Sequence, residues 1–195
     1  MQTTHPKTLS AVMLPRGAAA TLALMGGFAI LTALAAQVRI PVPGTPVPIT
    51  GQTFAVLVGG AVLGSWAGAG SQVIYLAMGL IGLPVFAGGS GGFEYATGAT
   101  FGYLVGFIAA AWVVGRLSER GQDRHVWSAI PAFLTGNAVI YAFGVTWLWW
   151  TIDSITTLQE ALVAGFVPFV LGDLLKIALA GMSLPLAWRL VRRPD

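Results

Sequence analysis

The chain has 195 residues, of which 56% are hydrophobic and 9% charged, and its mean hydropathy is +0.79. A soluble domain carries roughly a quarter charged residues, so this composition excludes an ordinary water-soluble domain and predicts an all-α polytopic membrane protein. The net charge of +3 comes from basic residues flanking apolar segments, not from a patch interleaved with aromatics, which argues against nucleic-acid binding; the absence of cysteine excludes disulfides, thiol catalysis and thiolate metal sites.

About 20 apolar residues cross a hydrocarbon core, fewer where neighbours shield the segment, and six candidate segments follow in order. Residues 1–17 read as a tail without a cleavable leader, because the first apolar segment begins only after Arg16 and is long enough to span. That segment runs from Ala18 to Gln37. In the loop over 38–51, the stretch IPVPGTPVP from Ile40 to Pro48 holds four prolines, which predicts a stiff extended arm able to cover a cavity. The second and third segments, Gln52 to Leu63 and Ser65 to Leu83, are short and glycine-rich and divide at Gly64. Around the next loop, 84–95, five glycines between Gly82 and Gly92 allow backbone N–H groups to approach a ligand closely. The fourth segment runs from Ala96 to Gly115, the fifth from Val126 to Trp150 after a loop over 116–125, and the sixth from Val163 to Leu190. With its short loops, the whole of 1–195 reads as one six-helix domain.

Basic residues stay with the cytoplasmic loops. Lys7, Arg16, Arg116, Arg120, Arg124, Arg189, Arg192 and Arg193 fall on one side of an even number of spans, and Arg39 faces the other side with Glu94, Asp153 and Glu160. Both termini are therefore expected in the cytoplasm, with Trp147, Trp149 and Trp150 at the outer interface.

The sixth segment carries Asp173 and Lys176, three residues apart on one helix face and costly in lipid. A structural ion pair is one reading; a functional site is the default for ionisable groups at such depth. Asn137 lies at similar depth, and Gln52, Tyr75, Tyr103 and Tyr141 offer further polar groups from the outer halves of neighbouring segments. Together they predict a pocket for a ligand with an apolar body and a few polar ends. GGSGG at Gly88 to Gly92 formally matches a nucleophile elbow. Ser90 has no base, however, since His5 and His125 are assigned to the opposite face. Neither HExxH nor a phosphate-binding GxxxxGK[ST] loop occurs, so no metalloprotease or ATPase machinery is expected in this chain.

TALAAQVRIPVPGTPVPITGQTFAVLVGGAVLG, YLAMGLIGLPVFAGGSGGFEYATGATFGYLVGF and GDLLKIALA together resemble the BioY family, the biotin-specific substrate-capture (S) components of energy-coupling factor (ECF) vitamin transporters. The resemblance covers about Ala29 to Ala180 and departs at Ala99, where the family often has proline. It implies a six-helix S-component fold in a bacterial cytoplasmic (inner) membrane, without enzymatic activity or cofactor. It also implies biotin capture from outside and assembly with a membrane coupling protein and two cytosolic ATPases. The small-residue face of Ala29 and Ala33 is implied to meet the coupling protein. For biotin, Asp173 is expected to accept a ureido N–H and Lys176 to meet the carboxylate or the ureido oxygen. Asn137, Tyr75, Tyr141, Gln52 and the backbone at Gly88 and Gly89 are further polar candidates, and Phe86 and Tyr103 are candidates to pack on the bicycle. The alternatives are an S component for another water-soluble vitamin and a proton-coupled carrier that relays protons through Asp173.

Overall fold

The computed structural model describes residues 8–13 and 17–191. His5, Lys7, Arg16, Arg192 and Arg193, on which part of the orientation argument rests, lie outside them. The described chain forms α1 (Leu9–Met13), α2 (Ala18–Gln37), β1 (Arg39–Ile40), β2 (Ile49–Thr50), α3 (Gln52–Leu63), α4 (Ser65–Leu80), α5 (Phe101–Glu119), α6 (Val126–Thr151), α7 (Leu158–Gly165) and α8 (Val170–Val191), with short 3-10 turns between some of them. Four stretches are long and apolar enough to cross a membrane: α2, α5, α6 and the run Leu158–Val191 that contains α7 and α8. The shorter α3 and α4, 12 and 16 residues long, complete the bundle.

α5 sits at the centre, packed on α3, α4 and α6, while α2 lies against α3 and α4, and α8 against α3 and α6. Glycine lets α3, α4 and α5 pack backbone against backbone. A Cβ on Gly60 would stand 2.6 Å from the Ala111 carbonyl oxygen, and one on Gly68 would stand 2.8 Å from the Gly60 Cα. Backbones thus touch directly, the close approach that small residues permit where the hydrophobic effect gives helices in lipid no reason to associate. Gly64 turns the chain between α3 and α4 at φ +88°, as the sequence predicts. Glu119 then fastens this corner to α5: its Oε1 accepts from the Ser65 N–H and hydroxyl, both at 2.7 Å, and its Oε2 pairs with Arg116 at 3.0 Å. These contacts continue α5 past the expected end at Gly115 to Glu119.

Other boundaries also move, each for a local reason. The third segment stops at Leu80 rather than Leu83, because Gly82 adopts φ +104° and Pro84 disfavours a helical residue before it. The fourth starts at Phe101 rather than Ala96, after a 3-10 turn over Phe93–Thr97 and an extended Gly98. The expected continuous sixth helix is interrupted. α7 ends at Gly165, Phe166 leaves helical geometry at φ −129°, and a 3-10 turn with Pro168 precedes α8. Pro168 brings no N–H to the ladder, and Asp173 consequently falls in the first turn of α8.

Within the segment read as a tail, Leu9–Met13 forms α1 against α3 with Leu9 buried. The proline arm is a hairpin, closed by antiparallel pairs Arg39↔Thr50 and Ile40↔Ile49. Its bend at Val42–Thr45 has Pro43 and Gly44 in the middle, Gly44 at φ +82°, as a type II turn requires. On the small-residue face of α2, Ala29 has no exposed surface and Ala33 is half-buried against the core.

Candidate functional site

Two charges meet near the start of α8. The Lys176 ammonium donates to Asp173 Oδ1 at 2.8 Å and to the Thr53 hydroxyl at 3.1 Å; Thr53 in turn donates to the same carboxylate oxygen at 3.4 Å. Asp173 Oδ2 accepts from the Asn137 amide at 3.1 Å and from the Tyr141 hydroxyl. Asn137 and Tyr141, four residues apart, face α8 together from α6. Asp173 and Asn137 are buried. The first turn of a helix favours an anion through its unpaired N–H groups and dipole, so the α7–α8 break helps to hold the carboxylate there.

This cluster opens onto a cavity of about 60 Å³, room for a few waters. Its polar lining includes Gln52, Thr53, Tyr103, Tyr141, Asp173 and Lys176. Leu104, Phe107, Ile140 and Phe169 make an apolar side, Val47 to Thr50 of the hairpin arm close another, and Ala87, Tyr95 and Thr100 belong to the glycine-rich connection. Tyr103 is seated by two glycines. A Cβ on Gly144 would overlap its ring, and its hydroxyl donates to the Gly165 carbonyl at 2.7 Å.

The remaining expected site residues stand behind this surface. Tyr75 accepts from the Gln52 amide at 2.7 Å and donates to the Val85 carbonyl at 3.2 Å, with almost no exposed surface. Phe86 is fully enclosed between Tyr75 and Tyr95, with ring centroids 5.6 and 4.5 Å away. Gly88 and Gly89 occupy a tight turn at φ +74° and +72° beside the cavity-lining Ala87. Asn137 reaches the cavity only through Asp173, and its Oδ1 is buried without a partner in the structure. Thr53, Tyr95 and Thr100 line the cavity without having been singled out in the sequence. Ser90 pairs with Phe86 across the turn, and His125 precedes α6, at the end of that helix remote from Tyr141.

Relatives share this architecture. The BioY family model matches residues 5–193. The biotin transporter BioY of Rhodobacter capsulatus is 39% identical over 168 residues, covering 82% of this chain and 88% of that protein. The biotin transporter BioY of Thermotoga maritima is 38% identical over 157 residues, covering 80% and 89% respectively. A crystal structure of the S-component for biotin from an ECF-type ABC transporter superposes with a TM-score of 0.78 at 26% identity, covering 90% of this chain and 92% of that one. These relatives are named for transport, not catalysis. With its apolar helices and these similarities, the chain is a multi-pass membrane protein and belongs to the BioY family.

Proposed function

We propose that this chain captures biotin in the cavity beside Asp173 and Lys176, as the substrate-binding component of an ATP-driven uptake system. In this reading residues 1–195 form one domain with six crossings, α3 and α4 included, both termini in the cytoplasm of a bacterial cell and the hairpin arm outside. The observation that carries it is the opposite-charge pair lining a cavity among otherwise apolar helices. The names of the relatives support biotin as the ligand.

Hydrogen-bond capacity assigns the roles. An ammonium has three N–H groups, and Lys176 uses two, on Asp173 and Thr53. Its third is available to an acceptor, the carboxylate or ureido oxygen of biotin. A carboxylate has about four lone-pair sites, and those of Asp173 meet Lys176, Thr53, Asn137 and Tyr141. A ureido N–H therefore reaches Asp173 only by displacing one of them. Thr53, whose bond to Asp173 is the longest at 3.4 Å, and Asn137, whose own Oδ1 is buried without a partner, are the donors assigned to give way. Leu104, Phe107, Ile140 and Phe169 would receive the fused rings. Two fused rings need more than the present opening, so the hairpin arm or the glycine turn moves as ligand enters.

The chain offers no phosphate-binding loop, so the energy for uptake is assigned to partner ATPases reached through a membrane coupling protein. Calorimetric titration of biotin into the detergent-purified chain tests ligand and class together. Asp173→Asn and Lys176→Ala are each expected to weaken binding at least about tenfold, the scale of one charge-assisted bond. Unchanged affinity in both variants would remove the pair from the site, and failure of the wild-type chain to bind biotin would overturn the assignment.

A further inference from the structure

Ala87 lines the cavity, and the Gln37 side chain hydrogen-bonds the backbone of the turn that carries it, beside the Arg39 side chain at Gly88. Gln37 is the last residue of α2. Its Oε1 accepts from the Gly89 N–H at 3.0 Å, while its Nε2 donates to the Phe86 carbonyl at 3.2 Å and to the Ala33 carbonyl, one turn back in α2, at 3.0 Å. These partners fix the orientation of the amide, because two carbonyls can receive only its nitrogen and an N–H only its oxygen. The two bonds to the turn bracket Ala87 and Gly88. The turn also closes on itself through the Phe86 N–H to the Ser90 carbonyl at 2.9 Å, and Phe86 anchors it between Tyr75 and Tyr95. Its left-handed residues Gly88 and Gly89 keep wide backbone freedom once released. Gln37 itself is exposed, so water can replace its bonds as they open.

We infer that Gln37 is a positioning residue whose side-chain amide latches the glycine turn to α2 and thereby sets how fast ligand enters and leaves the cavity. This rests on the cavity being the biotin site. The amide bonds backbone, not the cavity, so the latch holds the closed turn equally whether the cavity is empty or filled. An interaction without differential free energy between two states cannot shift their balance. The latch therefore governs both rates together and leaves affinity alone, unlike Asp173 and Lys176.

Stopped-flow biotin binding to the purified chain tests this. Gln37→Met keeps the length and apolar stem but loses the amide. Association and dissociation are both expected to accelerate, by at least about fivefold for two lost hydrogen bonds, with Kd within about twofold of wild type. Gln37→Glu keeps the acceptor for Gly89 but not the donor to Phe86 and should fall between; it also serves if the methionine variant does not fold. Unchanged rates in the folded variants, or faster dissociation alone with a proportional loss of affinity, would overturn the latch. Amide hydrogen exchange over residues 86–90 in ligand-free protein provides a readout that needs no biotin. Faster exchange in Gln37→Met supports the latch even if the wild-type chain binds no biotin, and unchanged exchange overturns it even if biotin binds tightly.

Discussion

Thr53 joins the two charges of the site, accepting from Lys176 at 3.1 Å and donating to Asp173 at 3.4 Å. Thr53→Val preserves shape and removes both bonds. Biotin affinity is expected to fall about three- to tenfold, the net value of one ordinary hydrogen bond, and so less than in Asp173→Asn; calorimetric titration of the two variants side by side checks the ranking. Asp173 and Lys176 are legible in the sequence because charges among apolar residues have no cheap alternative explanation, and the four-residue spacing of Asn137 and Tyr141 marks one face. Thr53 gives no such signal. A threonine in an apolar helix usually bonds its own backbone four residues back, as Thr32, Thr135 and Thr146 do here. Nor does sequence separate an aromatic ring that lines a cavity from one that supports the lining, which is why Tyr75 and Phe86 stand behind the surface while Tyr95 lies on it.

At the scale of elements, glycines decide what fits. A Cβ on Gly79 would overlap the Phe86 ring, which Tyr75 and Tyr95 hold on both sides. Gly79→Ala is therefore expected to lower stability by about 1 to 3 kcal/mol, as overpacking does, and to displace the glycine turn. Thermal unfolding monitored by near-ultraviolet circular dichroism would register both, and an unperturbed melting curve would contradict the packing described. The division of α3 from α4 at Gly64 and the span of α2 follow from hydropathy and glycine alone. The α7–α8 break does not, because an apolar tally passes over Pro168, whose effect is on backbone geometry rather than on transfer to lipid. The late start of α5 has a similar origin in the extended Gly98.

For the whole molecule, aromatic residues mark two levels. Trp149 and Trp150 are exposed near the end of α6, the cavity end; Trp66, Trp112 and Trp127 are exposed toward the other, with Trp66 and Trp112 in edge contact at 6.3 Å. Two such bands suit the two faces of a bilayer. Lacking cysteine, the chain lends itself to labelling at single introduced thiols. Asp153→Cys should react with a membrane-impermeant maleimide in intact cells, and Arg120→Cys only after permeabilisation. The opposite pattern would reverse the orientation proposed for the cavity. The cytoplasmic placement proposed for the ends rests on charge alone, and part of that charge lies on residues outside the described chain.

The proline arm has one further consequence. Pro41, Pro43, Pro46 and Pro48 offer no N–H, so the ladder stops at two residue pairs, Arg39↔Thr50 and Ile40↔Ile49. The rings that stiffen this flap also deny it the cross-links that would weld it down. The arm is therefore seated by side chains more than by backbone, with Val47 buried in the core and Val42 and Ile49 packed against it.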